Sequence, residues 1–275
     1  MVAAPVLWST AGVVTRHVEL ATPFEMVFWR SLFACGFVAA ALLVMGKLRS
    51  AGWPGLLSGA MWAVMFTAFV LALMLTSTAN TLVVMSIGPL LTALFARLVL
   101  ADAVPLRTWL AASAAAAGIA WMFAGDFAAK DVAGMLVALT IPVAAAANVV
   151  ALRAFAARVD LIPAVMIGGA LSALLALPFA MPFAASARDI GLLGFLGVFQ
   201  LGLPCMLLVI ASRTLPAPQI ALLGLLEVVL GPLWAWLGAG DAPGAATLAG
   251  GAIVLAALAA NEIGALRAKA VYNRA

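Results

Sequence analysis

"LLGLLEVVLGPLWAWLG" occupies residues 222–238. It is apolar throughout except for one ionisable group, Glu227, close to its middle. A helix needs about 20 such residues to cross the hydrocarbon core of a bilayer, and this run has nearly that length. An ionised carboxylate there costs several kcal/mol unless it is paired or protonated. The stretch therefore makes two statements at once. The chain spans a membrane, and it keeps an acid near the midplane for a reason.

The whole chain repeats the first statement. Of its 275 residues, 67% are hydrophobic and 9% charged, with a mean hydropathy of +1.23. A soluble domain is about half apolar and a quarter charged, so lipid must solvate most of this surface. Apolar runs broken by charge, Pro and Gly predict ten helical spans, near 2–20, 22–46, 53–76, 78–99, 105–125, 131–153, 161–183, 189–212, 216–238 and 244–266. In lipid the backbone must satisfy its own hydrogen bonds, and the alternation of a β-barrel is absent. The fold class read from the sequence is an all-α integral membrane protein. Its first run has no basic n-region and no cleavage site before the next span, so it reads as a retained helix.

Lys and Arg set the orientation. Lys47, Arg49, Arg97, Arg107, Arg153, Arg158, Arg213, Arg267, Lys269 and Arg274 share one side with both termini, against Arg16, Lys130 and Arg188 on the other. Glu19, Glu25, Asp126, Asp131, Asp189 and Asp241 lean to the basic-poor side. Both termini are expected in the cytoplasm and the protein in a bacterial-type inner membrane. The net charge of +4 reads as topology control and contact with lipid headgroups, not as nucleic-acid binding. Cys35 and Cys205 both lie in apolar runs and read as small packing residues.

An internal repeat organises the ten spans. At an offset of 139 residues, "ALMLTSTAN" (72–80) lies over "ASRTLPAPQ" (211–219), "LADAV" (100–104) over "AGDAP" (239–243), and Gly55 over Gly194. Pro23 matches Pro163 at nearly the same offset. Each half has five spans, and a tandem unit with an odd number of spans must cross the membrane in opposite senses. The expected domains are residues 1–125 and 131–268, an inverted five-plus-five repeat. Secondary transporters are built this way, with the solute near the midplane between halves.

Three segments carry a resemblance. "VLWSTAGVVTRHVELATPFEMVFWRSLFA" (6–34) has an early Trp, then Pro23 and Arg30. "LTSTANTLVVMSIGPLLTALFARLVLADAV" (75–104) contains the fourth span of the first half, and "APQIALLGLLEVVLGPLWAWLGAGDAPGAATLAGGAIVLAALA" (217–259) holds its counterpart in the second. Over nearly its whole length the chain resembles the EamA branch of the drug/metabolite transporter superfamily. That resemblance implies ten helices and alternating access around a central cavity. In bacterial members it implies export or permeation of amino acids and other small metabolites. Members often carry Glu-Pro where Glu227 stands. Here Val228 follows and the nearest proline is Pro232, whereas the first-half equivalent, Gly88–Pro89, keeps it. The chain also starts close to its first Trp, which implies either a short first helix or a missing start.

Polar groups at depth nominate the site. Glu227 is expected to carry a coupling proton or meet a substrate ammonium, since a buried carboxyl can exchange protons near neutral pH. Gln200, near mid-span, offers two donors and an acceptor. Arg30, two turns inside its span, either holds a substrate carboxylate or snorkels outward to pair with Glu25 or a helix end; the resemblance implies an Arg here whatever the substrate, which favours a structural or gating role. Trp8 and Ser9 lie mid-span in the first helix, and Asn148 stands at the position equivalent to Trp8. Trp62 and Trp234 are deeper than an interfacial belt. Pro89, Pro142 and Pro204 interrupt spans and suit hinges or gates. His17, the single histidine, sits at a span end. Small residues in spans five and ten suit close helix contact or a homodimer face. No catalytic triad, metal cluster or phosphate loop occurs, so neither enzyme activity nor a cofactor is expected. The reading is a metabolite exporter coupled to protons, with an uptake permease or exchanger as the alternative and a non-transporting scaffold behind it.

Overall fold

A computed structural model describes residues 1–123, 132–239 and 244–272. The expected junction between the halves, and Lys130, Asp126, Asp131, Asp241 and Arg274, lie outside the described residues.

Among the described residues the structure is helical. In chain order the helices are α1 (Ala3–Trp8), α2 (Ala11–Thr15), α3 (Pro23–Val44), α4 (Gly52–Leu75), α5 (Thr78–Met85), α6 (Gly88–Val99), α7 (Leu106–Met122), α8 (Val132–Phe155) and α9 (Ile162–Ala180). There follow α10 (Ala187–Phe195), a π-helical segment (Leu196–Gly202), α11 (Leu203–Ala211), α12 (Ala217–Gly224), α13 (Leu226–Ala239) and α14 (Ala245–Tyr272). Eight helices, counted through their internal breaks, are long and apolar enough to cross a membrane. The stretch Ala3–Thr15 is shorter, and α7 has 17 residues.

Two departures from the expected spans have local causes. The first run is not one helix. It breaks at Ser9–Thr10, where both hydroxyls turn back onto the preceding turn, Ser9 Oγ to Val6 O and Thr10 Oγ1 to Leu7 O, each at 2.7 Å. Such back-bonding competes with the helical ladder and bends helices. The eighth run is continuous but widens into a π turn ahead of Pro204. Pro204 has no N–H for the carbonyl of Gln200, four residues back, and the i→i+5 register passes over that gap.

Two further breaks stand in register. Helix α5 gives way to α6 at Ser86–Ile87, and α12 to α13 at Leu225. In the first, Pro89 withholds the bond that Met85 O would receive. In the second no proline follows at the equivalent site. Tight bonds from Leu225 N to Leu222 O (3.0 Å) and Val228 N to Leu225 O (3.1 Å) close the turn instead. Ser86 and Leu225 are 139 positions apart in the sequence.

The core forms where α3 packs on α9, α4 on both α8 and α9, and α7 on α14. One large apolar cluster runs from Val38 and Trp62 through Val149 and Val165 to Cys205 and Val209. A second joins α7, α14 and the α12–α13 break through Ile119, Leu222 and Val254. Close approach depends on glycine in places. A Cβ on Gly197 would lie 2.6 Å from the carbonyl oxygen of Arg30, so only glycine lets the π segment press this tightly onto α3.

Hydrogen bonds show which loops meet. At one end of the bundle Thr22 caps α3 in a capping box with Glu25, and Ser186 caps α10 in a box with Asp189. Each box reaches across to the other's approach. Glu25 Oε1 accepts from the N–H groups of Ala184 (2.8 Å) and Ala185 (3.0 Å). Asp189 accepts from those of Glu19 (3.0 Å) and Leu20 (3.2 Å). Arg188 and Glu19 add an exposed ion pair at 3.1 Å. At the opposite end Arg213 pairs with Asp160 at 2.7 Å. There too Thr108 donates to Asn261 at 2.9 Å, and Gln219 donates to Glu262.

Candidate functional site

The interrupted helices surround one chamber of about 220 Å³. Its wall is built from turns that the sequence itself disturbs. Gly88 and Pro89 come from the α5–α6 break, Gly224, Leu225 and Glu227 from the α12–α13 break, Pro142 from inside α8, and Gln200 and Leu201 from the π segment. Trp8 ends α1 at the break of the first run. Broken turns leave backbone groups unused, and within a membrane such backbone is tolerated only where it meets protein or a cavity.

Most of the candidate residues come together here. Glu227, Gln200, Trp8, Asn148, Trp62, Arg30, Pro89 and Pro142 all line the chamber. Ser9, Trp234 and Pro204 do not. Trp234 Nε1 donates to Ser9 Oγ at 2.8 Å, which ties α13 to the break between α1 and α2. Pro204 is buried behind the wall and acts through the π turn ahead of it. His17 is exposed, with Nδ1 3.0 Å from Val13 O.

The polar groups of the chamber are held from outside it. Asn148 Oδ1 accepts from Ser58 Oγ at 2.6 Å, which turns the amide nitrogen away from α4. Arg30 Nη2 donates to Gln200 Oε1 at 2.9 Å. Trp8 and Cys205 are both part of the wall. Glu227 is half-buried and makes no hydrogen bond or ion pair with another described residue. The rest of the wall is aromatic and Met-rich, including Met65, Phe66, Phe69 and Met85.

Cys205 was not legible as a wall residue from its apolar surroundings. The clue is periodicity: Leu201, Cys205 and Leu208 recur at helical spacing on the face that carries Gln200. Ser58 was missed because its role is to orient Asn148 from a neighbouring helix. Among the described residues no group of three or more His, Cys, Asp or Glu side chains could hold a metal ion.

The geometry agrees with what comparison with known proteins returns. Residues 1–124 match the model of the EamA-like transporter family. Comparison with curated proteins gives no match. A crystal structure of a protein 23% identical to this chain superposes with a TM-score of 0.84, covering 95% of this chain and 96% of that one. At that identity the likeness speaks for the fold alone, and it extends the agreement beyond the matched first half. The likeness to the EamA-like transporter family thus rests on 124 of the chain's 275 residues.

Proposed function

We propose that this protein is a secondary active transporter that exports a small amphipathic metabolite of amino-acid size. It works by alternating access around the central chamber, with Glu227 carrying the coupling proton. The observation that carries the reading is Glu227 itself, a carboxyl on the chamber wall with no partner among the described side chains. A structural acid would be bonded to a neighbouring helix; this one is left open to whatever enters.

Ten spans in an inverted five-plus-five arrangement are part of the proposal, with residues 1–125 and 131–268 as the halves. The paired breaks at Ser86–Ile87 and Leu225 support it, since they fall at the same offset as the sequence repeat. The halves differ where it matters, with Gly88 opposite Glu227. Both termini are assigned to the cytoplasm of a bacterial-type inner membrane, which makes the Glu25–Asp189 end the outer one. The chamber's size suits a small solute, and its aromatic and methionine wall suits an apolar body that carries polar ends.

The test is reconstitution in liposomes with a pH-sensitive dye inside, screening amino acids and related metabolites with wild type and Glu227→Gln. Solute-dependent proton movement that disappears in the variant is expected. Solute flux without proton movement in the wild type would refute coupling through Glu227, and net flux into right-side-out vesicles would make the protein an uptake permease.

A further inference from the structure

Arg30 lies two turns inside α3 and is 9% exposed. A guanidinium stays charged under all ordinary conditions and has five donors to satisfy. In the interior it costs several kcal/mol unless a counter-charge or a full set of acceptors meets it. One donor goes to the neutral amide oxygen of Gln200. Nε has no partner, and no carboxylate of a described residue lies within ion-pair distance.

The sequence left this side chain two directions, outward to Glu25 or a helix end, or inward to a solute, and favoured a structural or gating role. The structure separates them. Glu25 is taken up by the backbone N–H groups of Thr22, Ala184 and Ala185 and makes no contact with Arg30 within ion-pair distance. Asp189 is likewise occupied by Glu19, Leu20 and Ser186. Arg30 turns the other way, onto Gln200 and the chamber. Two other buried donors on the same wall are also unmatched. Asn148 Nδ2 belongs to a residue 1% exposed, and Trp62 Nε1 to one 4% exposed. Among the described residues the chamber thus presents a cation met by a single neutral amide oxygen, two N–H donors without acceptors, and one unpartnered acid, Glu227.

Resting on the transport reading above, we infer that Arg30 is the residue that selects the solute, and that the solute carries a carboxylate which completes the guanidinium's hydrogen bonds. Gln200 is a positioning residue. It holds one edge of the fork so that the remaining N–H groups face the chamber. A planar guanidinium matches a carboxylate in a way an ammonium does not, so the site reads geometry as well as charge. Asn148 and Trp62 offer donors to further oxygens of the same solute. A zwitterion would place its ammonium towards Glu227, and a simple carboxylic acid would leave that position to the proton.

The test uses the purified full-length chain and two matched sets of probes. One set contains the amino acids and short monocarboxylates. The other contains the same skeletons as primary amides and as decarboxylated amines. Binding is read as a rise in Tm, and transport as counterflow in liposomes. Every solute that binds wild type is expected to come from the carboxylate set, with its amide weaker by about tenfold to a hundredfold, the scale of one lost charge-assisted hydrogen bond. Arg30→Gln should abolish the preference for acid over amide. Arg30→Lys, which keeps the charge, should fold and bind but lose most of that preference. Gln200→Ala should narrow the acid-over-amide ratio by weakening the acid more than its amide, a selective loss that a merely structural role would not produce. An amide or amine that binds as well as its acid overturns the inference, as does Arg30→Lys with an unaltered ratio, or no binding by any carboxylate. Counterflow of a carboxylate-free solute would sink this inference and leave transport standing. Absence of flux for every probe would sink the transport reading itself.

Discussion

Glu25 sits at 0% exposure and receives three backbone N–H groups, from Thr22 at 2.9 Å, Ala184 at 2.8 Å and Ala185 at 3.0 Å. Glu25→Gln is the sharpest perturbation of this arrangement. The substituted side chain has the same shape but one acceptor oxygen instead of two and no charge. If its oxygen stays with Ala184 and Ala185, its NH2 group faces the N–H of Thr22, donor against donor. One bond is lost and two become neutral. Hydrogen bonds to charged groups are worth about 1.5–3 kcal/mol and neutral ones about 1 kcal/mol. The change should cost about 2–3 kcal/mol, towards the low end of that arithmetic because the site lies at the end of the bundle near water. Thermal unfolding in detergent, followed by intrinsic tryptophan fluorescence, should show a fall in Tm of several degrees. The control is Glu19→Gln. It breaks the exposed Arg188–Glu19 pair, and such surface pairs contribute about 0–1 kcal/mol. The reasoning fails if Glu25→Gln melts with wild type, or if the control is as damaging as the test.

Other substitutions follow from contacts already described. Gly197→Ala puts a methyl group against the carbonyl of Arg30 and should part the π segment from α3. A stability loss of about 1–3 kcal/mol from overpacking is expected, along with a loss of solute affinity like that of Gln200→Ala, measured by thermal shift. Trp234→Phe removes the bond to Ser9 and should cost about 1 kcal/mol or less. Solute affinity should be unchanged, because neither residue is on the chamber wall; an altered affinity in titration would place Trp234 back in the site.

Apolar run length made the membrane build readable, because hydrocarbon leaves the backbone few options. Depth within those runs picked out Glu227, Gln200, Arg30, Asn148 and Trp62, since a polar or bulky group in mid-span has to meet something other than lipid. The structure gathers these five into one chamber. What stayed hidden depends on partners far away in sequence. Trp234 resembles a cavity aromatic until Ser9, 225 residues earlier, is seen to accept its N–H. Glu25 reads as one mate open to Arg30 until Ala184 and Ala185 are found to occupy it. Pro204 was visible as an interruption, but a proline does not say whether the helix will kink or widen. Ser9 looks like a polar wall residue, yet its hydroxyl and that of Thr10 act on their own helix and end it.

The two capping boxes also impose an order on assembly. Glu25 leaves the ribosome about 160 residues before the amides it will accept from, and the amides of Glu19 and Leu20 wait as long for Asp189. Until α10 is inserted, the start of α3 has its own Thr22–Glu25 box and nothing beyond it, with a carboxylate only one-third engaged. This end of the molecule is therefore sealed late, by a segment from the second half. A fragment ending before α10 would lack Asp189 and the amides of Ala184 and Ala185, and would be unable to close over this end.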